Sequence, residues 1–272
     1  MSFQRPIYLL TALCLLQISG CCTSRFVKPK ELIRDANTVW QKVLAQEAKV
    51  LSFEYSTRVE YYGTDGVQKG KVDILGRRAS DGPRSSSELR FEVLSPTDDT
   101  LAVLITDGKA FMSHERGRLL CHIGEACPAN VSRLLPVAFS SSQWFSLLTG
   151  GVPLIAHDTQ KIQWDDCEGG YLLTLENTAR RLIQKIWISP ISYSPFMLQV
   201  QLAGREEYRI KFEKVAEVSG IRIPKRIHFK SERHSVDLSM EIRELWLNQV
   251  TDGRVFDLQC PDGTQRKELI CR

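Results

Sequence analysis

Ser52-Phe53-Glu54-Tyr55-Ser56-Thr57-Arg58-Val59-Glu60-Tyr61 is the stretch whose reading decides the fold. Phe53, Tyr55, Thr57, Val59 and Tyr61 alternate with Glu54, Ser56, Arg58 and Glu60. Side chains along a β-strand point to opposite faces in turn, so this period of two predicts a strand with one apolar face. Just upstream the rhythm is helical. Leu32, Ile33, Ala36, Val39, Trp40, Val43 and Leu44 recur at three- and four-residue spacing, which predicts an amphipathic helix over 30–51 behind Pro29. The period therefore changes at Ser52 from helix to sheet.

Downstream the strand rhythm continues. Gly63-Thr64-Asp65-Gly66 is a turn, 67–77 a second strand, and Ser80-Asp81-Gly82-Pro83 a break. Leu89, Phe91 and Val93 alternate with Arg90 and Glu92. Asp107-Gly108 joins 101–106 to 109–113 and is a strong two-residue hairpin signal, after which 118–123 continues the meander. A helical interlude follows at about 129–149. Ser140 and Gln143 have capping-box spacing ahead of Trp144, Phe145, Leu147 and Leu148, and Gly150-Gly151 is the stop. The second half returns to strands at 162–164, 171–175, 182–188, 196–202, 207–212, 221–229 and 236–247.

The pattern predicts eleven to thirteen antiparallel strands with two or three helices, a mainly β (α+β) chain. No strand-helix-strand rhythm supports a parallel sheet. An apolar sheet face must be covered. So few helices cannot shield a dozen flat strands, so the sheet must curl into a barrel or partial barrel with the helices over its mouth. Beneath that lid the pattern allows either an apolar cavity or a fully packed core.

The N-terminus reads as an export signal. Met1–Gly20 carries one basic residue, Arg5, and no acidic one, and its apolar run Ile7–Ile18 is too short to span a bilayer. It ends Ile18-Ser19-Gly20-Cys21, small residues before a cysteine, which resembles the bacterial lipobox. The expected organisation is a signal peptide over 1–20, lipid on Cys21, a tether over 21–29 and a single domain over 30–272. Residues of that tether reach roughly 30 Å when extended, which keeps the domain near its membrane. Removing twenty residues and one arginine from a 272-residue chain of net charge +4 leaves 252 residues at +3. That mild charge, spread without a basic block, does not point to nucleic acid.

Cysteine use suits an oxidising compartment. With Cys21 lipidated, Cys22, Cys121, Cys127, Cys167, Cys260 and Cys271 remain, an even set. Cys121 with Cys127 could close a small loop, and Cys260 with Cys271 could staple the tail; Cys22 and Cys167 would be a third pair or two free thiols. Sequence alone does not settle the pairing. There is no C-x-x-C and no histidine at ligand spacing, so no metal site and no cofactor is expected. Nor is there a G-x-S-x-G, an H-E-x-x-H, a phosphate loop or a dinucleotide fingerprint. The five histidines are scattered, and the serines 85–87 and 140–142 lack a nearby base. Asp165-Asp166 reads as a solvated strand end. No catalytic residue is expected, and the chain is expected not to be an enzyme.

Two segments carry a resemblance. Leu89-Arg90-Phe91-Glu92-Val93-Leu94-Ser95-Pro96, followed by Leu104-Ile105-Thr106-Asp107-Gly108-Lys109-Ala110-Phe111, is similar to the central segment of the LolA/LolB lipoprotein carriers. Phe256-Asp257-Leu258-Gln259-Cys260-Pro261-Asp262-Gly263 resembles that family's C-terminal pattern, and the order of elements matches over about 30–265. The resemblance implies an incomplete barrel of about eleven strands, closed by helices over an apolar cavity. It implies shelter of lipid acyl chains or lipoproteins, delivered by a periplasmic carrier to an anchored acceptor. Cys22 is not an aspartate, so the outer membrane is the expected location. The family's lid-latching arginine sits in an R-P pair; here Arg77-Arg78 lacks the proline, and the latch would fall on Arg78. The family's exposed leucine loop corresponds to the polar Pro96-Thr97-Asp98-Asp99.

Binding of this kind rests on apolar area, since each sheltered methylene is worth roughly 0.8 kcal/mol. The expected cavity residues on the first-half strands are Phe53, Tyr55, Phe91, Val93 and Phe111. Those from the second half are Phe196, Leu198, Ile210, Phe212, Met240 and Ile242. Trp40 and Trp144 would face them from the helices. A carrier needs an apolar space of several hundred Å³. A periplasm-facing assembly or scaffold lipoprotein with a solid core is the alternative.

Overall fold

The computed structural model describes residues 24–64, 66–78, 87–134, 137–249 and 252–271. The signal peptide, Cys21, Cys22, the break at 80–83 and the serines at 85 and 86 lie outside the described residues. The strands are β1 Ser52–Gly63, β2 Gly66–Arg78, β3 Ser87–Leu94, β4 Thr100–Thr106, β5 Ala110–Glu115 and β6 Leu120–Glu125. After the helical insertion come β7 Thr159–Asp165, β8 Gly170–Asn177, β9 Leu182–Ile188, β10 Pro195–Leu202, β11 Arg205–Val218, β12 Ile221–Ser231, β13 Val236–Leu247 and β14 Gln265–Leu269.

These fourteen strands form one curled, open sheet in the order β14-β6-β5-β4-β3-β2-β1-β13-β12-β11-β10-β9-β8-β7. It is the mainly β, incomplete barrel that the alternation predicts. Two antiparallel meanders meet where β1 pairs with β13, from Phe53 opposite Leu247 to Tyr62 opposite Asp237. β14 alone runs parallel to its neighbour, β6. The apolar phase holds from strand to strand. Tyr55 faces Ile74, Ile74 faces Phe91 and Phe91 faces Leu104. On the other side Leu173, Ile186, Leu198, Ile210, Phe229 and Leu238 follow one another across six strands. A continuous apolar stripe on one face makes the sheet wrap around it.

Helix α1, Ala36–Glu47, is shorter than the predicted 30–51. The Asp35 carboxylate accepts from the amides of Asn37 and Thr38, so the helix starts there; ahead of it, the Ile33 amide donates to the Tyr171 hydroxyl at 3.2 Å. Val39 and Val43, one turn apart, are buried against the sheet. The insertion carries a short helix α2, Pro128–Val131, a 3-10 turn at Ser132–Leu134, and helix α3, Ser141–Leu148. The expected capping box forms at α3: Gln143 N donates to Ser140 Oγ at 3.3 Å, and Ser140 N donates to Gln143 Oε1 at 2.9 Å. The helix stops at Gly150, whose φ of +83° is left-handed backbone that glycine adopts readily.

The described residues near each end pack on the convex face. Phe256 is buried with Ile105, Met112 and Cys121 over β4–β6. Residues 24–28, the described part of the expected tether, lie against β7–β10. The Arg25 amide donates to Glu168 O at 3.1 Å, and the Phe26 ring meets the Phe196 ring at 5.5 Å.

The disulfide pairing differs from the expected one. Cys121 bonds Cys260 and Cys127 bonds Cys271, with Cα separations of 5.9 and 6.1 Å. Cys121 lies on β6 and Cys127 beyond its end. The strand from Cys121 to Glu125 alone spans roughly 13 Å, while a disulfide reaches about 7 Å. Pairing of β14 with β6 brings the tail alongside instead. Cys167 is also disulfide-bonded.

Candidate functional site

The concave face gathers most of the predicted cavity residues. Phe53, Tyr55, Phe91, Trp144, Leu198, Ile210, Phe212, Met240 and Ile242 are buried in one cluster. Phe111 is buried on β5, and Trp40 packs half-buried at the edge of that cluster. Phe196 is placed differently. A register shift between Pro195 and Met197 turns it toward the convex side, where it joins Leu172, Trp187, Met197 and Phe26.

The helical lid fills the hollow with aromatic rings. From α3, Phe145 reaches Phe53 at 5.3 Å, and Trp144 sets its edge against Phe91 at 6.0 Å and Phe139 at 5.5 Å. Phe139, just ahead of α3, meets Phe229 at 6.4 Å. What remains enclosed between Phe139, Trp144, Phe229, Leu238 and Met240 is about 10 Å³, room for about one water and far too little for an acyl chain. Among the described residues, this point beneath the lid does not hold the several-hundred-Å³ space expected of a carrier.

It lies beside it. An open groove of about 680 Å³ runs along the same concave face, over Val59, Tyr61, Val72, Val93, Leu101 and Ala102. Leu238 lines both this groove and the small enclosed space. Of the predicted cavity residues only Val93 lines the groove. Val59 and Tyr61 were legible as groove residues, since they continue the phase of Phe53 and Tyr55. Lys69, Arg116, Arg118 and Arg133 at the rim carried no periodic signal.

Some polar groups in the interior are unmet among the described residues. The Tyr55 hydroxyl and Trp144 Nε1 are buried without a hydrogen-bond partner. Burial pushes the Tyr55 hydroxyl far above the ordinary tyrosine range. Each unmet group costs about 1–3 kcal/mol, which lowers the cost of rearranging the lid. Arg78, at the end of β2, contacts the covering helices. Its guanidinium donates to Glu47 O at 3.1 Å and Val50 O at 3.3 Å, and it lies over the Phe145 ring. Gln184, fully buried on β9, fastens the chain after α3, donating to Pro153 O at 2.7 Å and accepting from the Ile155 amide at 3.1 Å.

Among the described residues no group of three or more histidine, cysteine, aspartate or glutamate side chains could hold a metal. No helix among them is long and apolar enough to cross a membrane.

No family model and no curated protein matches the sequence. Solved structures do match. The chain is similar to a DUF1329 family protein from Desulfovibrio piger, with a TM-score of 0.60, 10% identity, and coverage of 83% of this chain and 98% of that one. It is similar to a putative outer membrane lipoprotein-sorting protein domain from Vibrio parahaemolyticus, with a TM-score of 0.56, 7% identity, and coverage of 81% and 95%. A LolA superfamily protein from Nitrosomonas europaea aligns at a TM-score of 0.49 and 12% identity over 83% and 98%. At such identities the likeness is one of fold, and the fold is the LolA/LolB-like one.

Proposed function

We propose that this chain binds the acyl chains of lipids or lipoproteins in the bacterial cell envelope and takes part in their transfer without catalysis. It is held at the outer membrane by lipid on Cys21 and receives its client from a periplasmic carrier. The observation that carries this reading is the shared wall at Leu238. The open groove and the filled interior meet at Leu238, and Phe139 and Trp144 of the lid region line the interior side. An acyl chain entering the groove reaches the interior when those rings withdraw. A groove of about 680 Å³ falls within the roughly 300–1,000 Å³ of small-molecule sites.

Titration of the purified full chain with a fluorescent fatty acid tests this. Wild type should show saturable uptake. Val93→Glu places a charge on the groove floor and should weaken uptake about tenfold or more, while the thermal transition is kept. Wild type that takes up no acyl compound defeats the reading.

The filled interior favours a second reading, an assembly or scaffold lipoprotein with a solid core. That reading predicts no saturable uptake at any concentration. Either way, Cys21→Ser should release the chain from the membrane fraction, and mass spectrometry of the mature N-terminus should find an acylated Cys21.

A further inference from the structure

The groove has a neighbour. A second depression of about 550 Å³ is lined by Ser113, His114, His122, Leu119 and Leu120, and it shares Glu115, Arg118 and Arg133 with the groove. Those three residues form the ridge between the groove and this second depression.

The ridge and rim are cationic. Lys69, Arg116, Arg118 and Arg133 stand there with Glu115 as the sole carboxylate among the lining residues. Three of the cations are engaged at the surface: Lys69 with Glu60 at 3.4 Å, Arg116 with Asp99 at 3.5 Å and Arg118 with Glu115 at 3.7 Å. Arg133, on the 3-10 turn after α2, has no carboxylate within ion-pair distance among the described residues. Its field is felt across the depression. Burial disfavours the protonated form of His122, and the charges of Arg133 and Lys267 disfavour it further. A positive field in a concave site with no compensating carboxylate on Arg133 attracts an anion. Leu119 and Leu120, 72% and 40% exposed, add apolar surface at the same place. The whole is amphipathic: two depressions with apolar and polar side chains in each, joined at Glu115, Arg118 and Arg133.

We propose that Arg133, with Arg118, binds the phosphate of an anionic diacyl phospholipid whose acyl chains lie in the apolar groove and whose head group occupies the second depression. The inference rests on the acyl-binding reading above and names the client within it. A guanidinium suits this role because its planar N–H fork matches phosphate oxygens in a bidentate way. The uncompensated positive charge selects against a head group that carries its own cation.

The test titrates the full chain, in a mild non-ionic detergent, with NBD-labelled dioleoyl lipids that differ only in head group. The three are phosphatidylglycerol, phosphatidylcholine and diacylglycerol. Phosphatidylglycerol should bind about tenfold or more tighter than diacylglycerol, a difference of about 1.4 kcal/mol, with phosphatidylcholine weaker than phosphatidylglycerol. Arg133→Glu should bring phosphatidylglycerol down to the affinity that the same variant shows for diacylglycerol. Arg133→Lys should retain part of the preference. Equal binding of phosphatidylglycerol and diacylglycerol by wild type overturns the proposal while sparing the acyl-binding reading. So does a preference that survives Arg133→Glu. Displacement of phosphatidylglycerol by excess inorganic phosphate would reveal a free-phosphate site and also overturns it. Absence of binding to all three lipids overturns both.

Discussion

The Arg78 guanidinium carbon lies 4.8 Å from the centre of the Phe145 ring, so one side chain at the end of β2 caps the lid helix α3. The same group donates to Glu47 O and Val50 O at the end of α1. One residue thus joins the sheet to both covering helices. The latch role that family resemblance suggested for Arg78 has a physical basis here without the neighbouring proline, and we propose that it acts so. Arg78→Ala should cost about 2–3 kcal/mol, from two charged-donor hydrogen bonds and a ring contact. A latch predicts more than lost stability. The variant should bind more of an apolar dye such as ANS at concentrations of denaturant where wild type does not. Arg78→Lys should fall between, because an ammonium cannot stack as a guanidinium does.

Gln184 is the second fastening, on the far wall. Gln184→Leu keeps the volume but leaves Pro153 O and the Ile155 amide without their partner. The expected cost is about 2–4 kcal/mol, read from urea unfolding. Faster exchange of the Ile155 amide proton should accompany it. An unchanged exchange rate there would mean that the segment after α3 is held by its apolar contacts instead.

The tail is held by covalent bonds and by packing, and the two can be separated. Peptide mapping without reduction should recover Cys121 with Cys260 and Cys127 with Cys271, bonds that span 139 and 144 residues of sequence. Loops of that length are worth up to about 5 kcal/mol each in the chain-entropy account. Phe256→Ala should cost about 3–5 kcal/mol with both disulfides intact, because Ile105 and Met112 lose their cover.

Acid should weaken the β11–β13 region. Glu241 meets Lys214 at 3.0 Å, Arg226 at 3.1 Å and Arg243 at 3.2 Å. The hydrogen bonds from Lys214 and then Arg226 draw its carboxyl down from 4.5 to about 2. A carboxyl whose folded pKa is depressed stabilises the fold above its unfolded pKa and loses that contribution as the pH falls through the folded one. Stability should therefore decline between about pH 4.5 and pH 2. Glu207, lowered by His234 and Arg233, acts in the same sense. Glu241→Gln should be less stable near neutrality and flatter over the acid range, as chemical denaturation at a series of pH values would show.

Local signals were legible wherever the physics is local. The alternation from Phe53 to Tyr61, the hairpin at Asp107-Gly108 and the capping box at Ser140 and Gln143 all involve residues a few positions apart. Their outcome is set by side-chain direction and short hydrogen bonds. The start of α1 was misread by about one and a half turns, because Leu32 and Ile33 are apolar for a different reason: they pack in extended chain against the core. β14 was missed because Gln265-Arg266-Lys267-Glu268-Leu269 has no apolar face to read.

By itself, the sequence determined that this chain is a curled antiparallel sheet under helices, since an apolar phase kept through so many strands can be buried in no other way. Only the tertiary structure decided which cysteines meet, that Phe196 turns outward at a bulge, and that the lid's own rings fill the hollow. It also decided that Arg133 comes to stand over an apolar groove formed by strands far from it in the chain. These outcomes depend on distances between residues that the chain order leaves free, and on how large side chains share a volume. Neither leaves a period in the sequence.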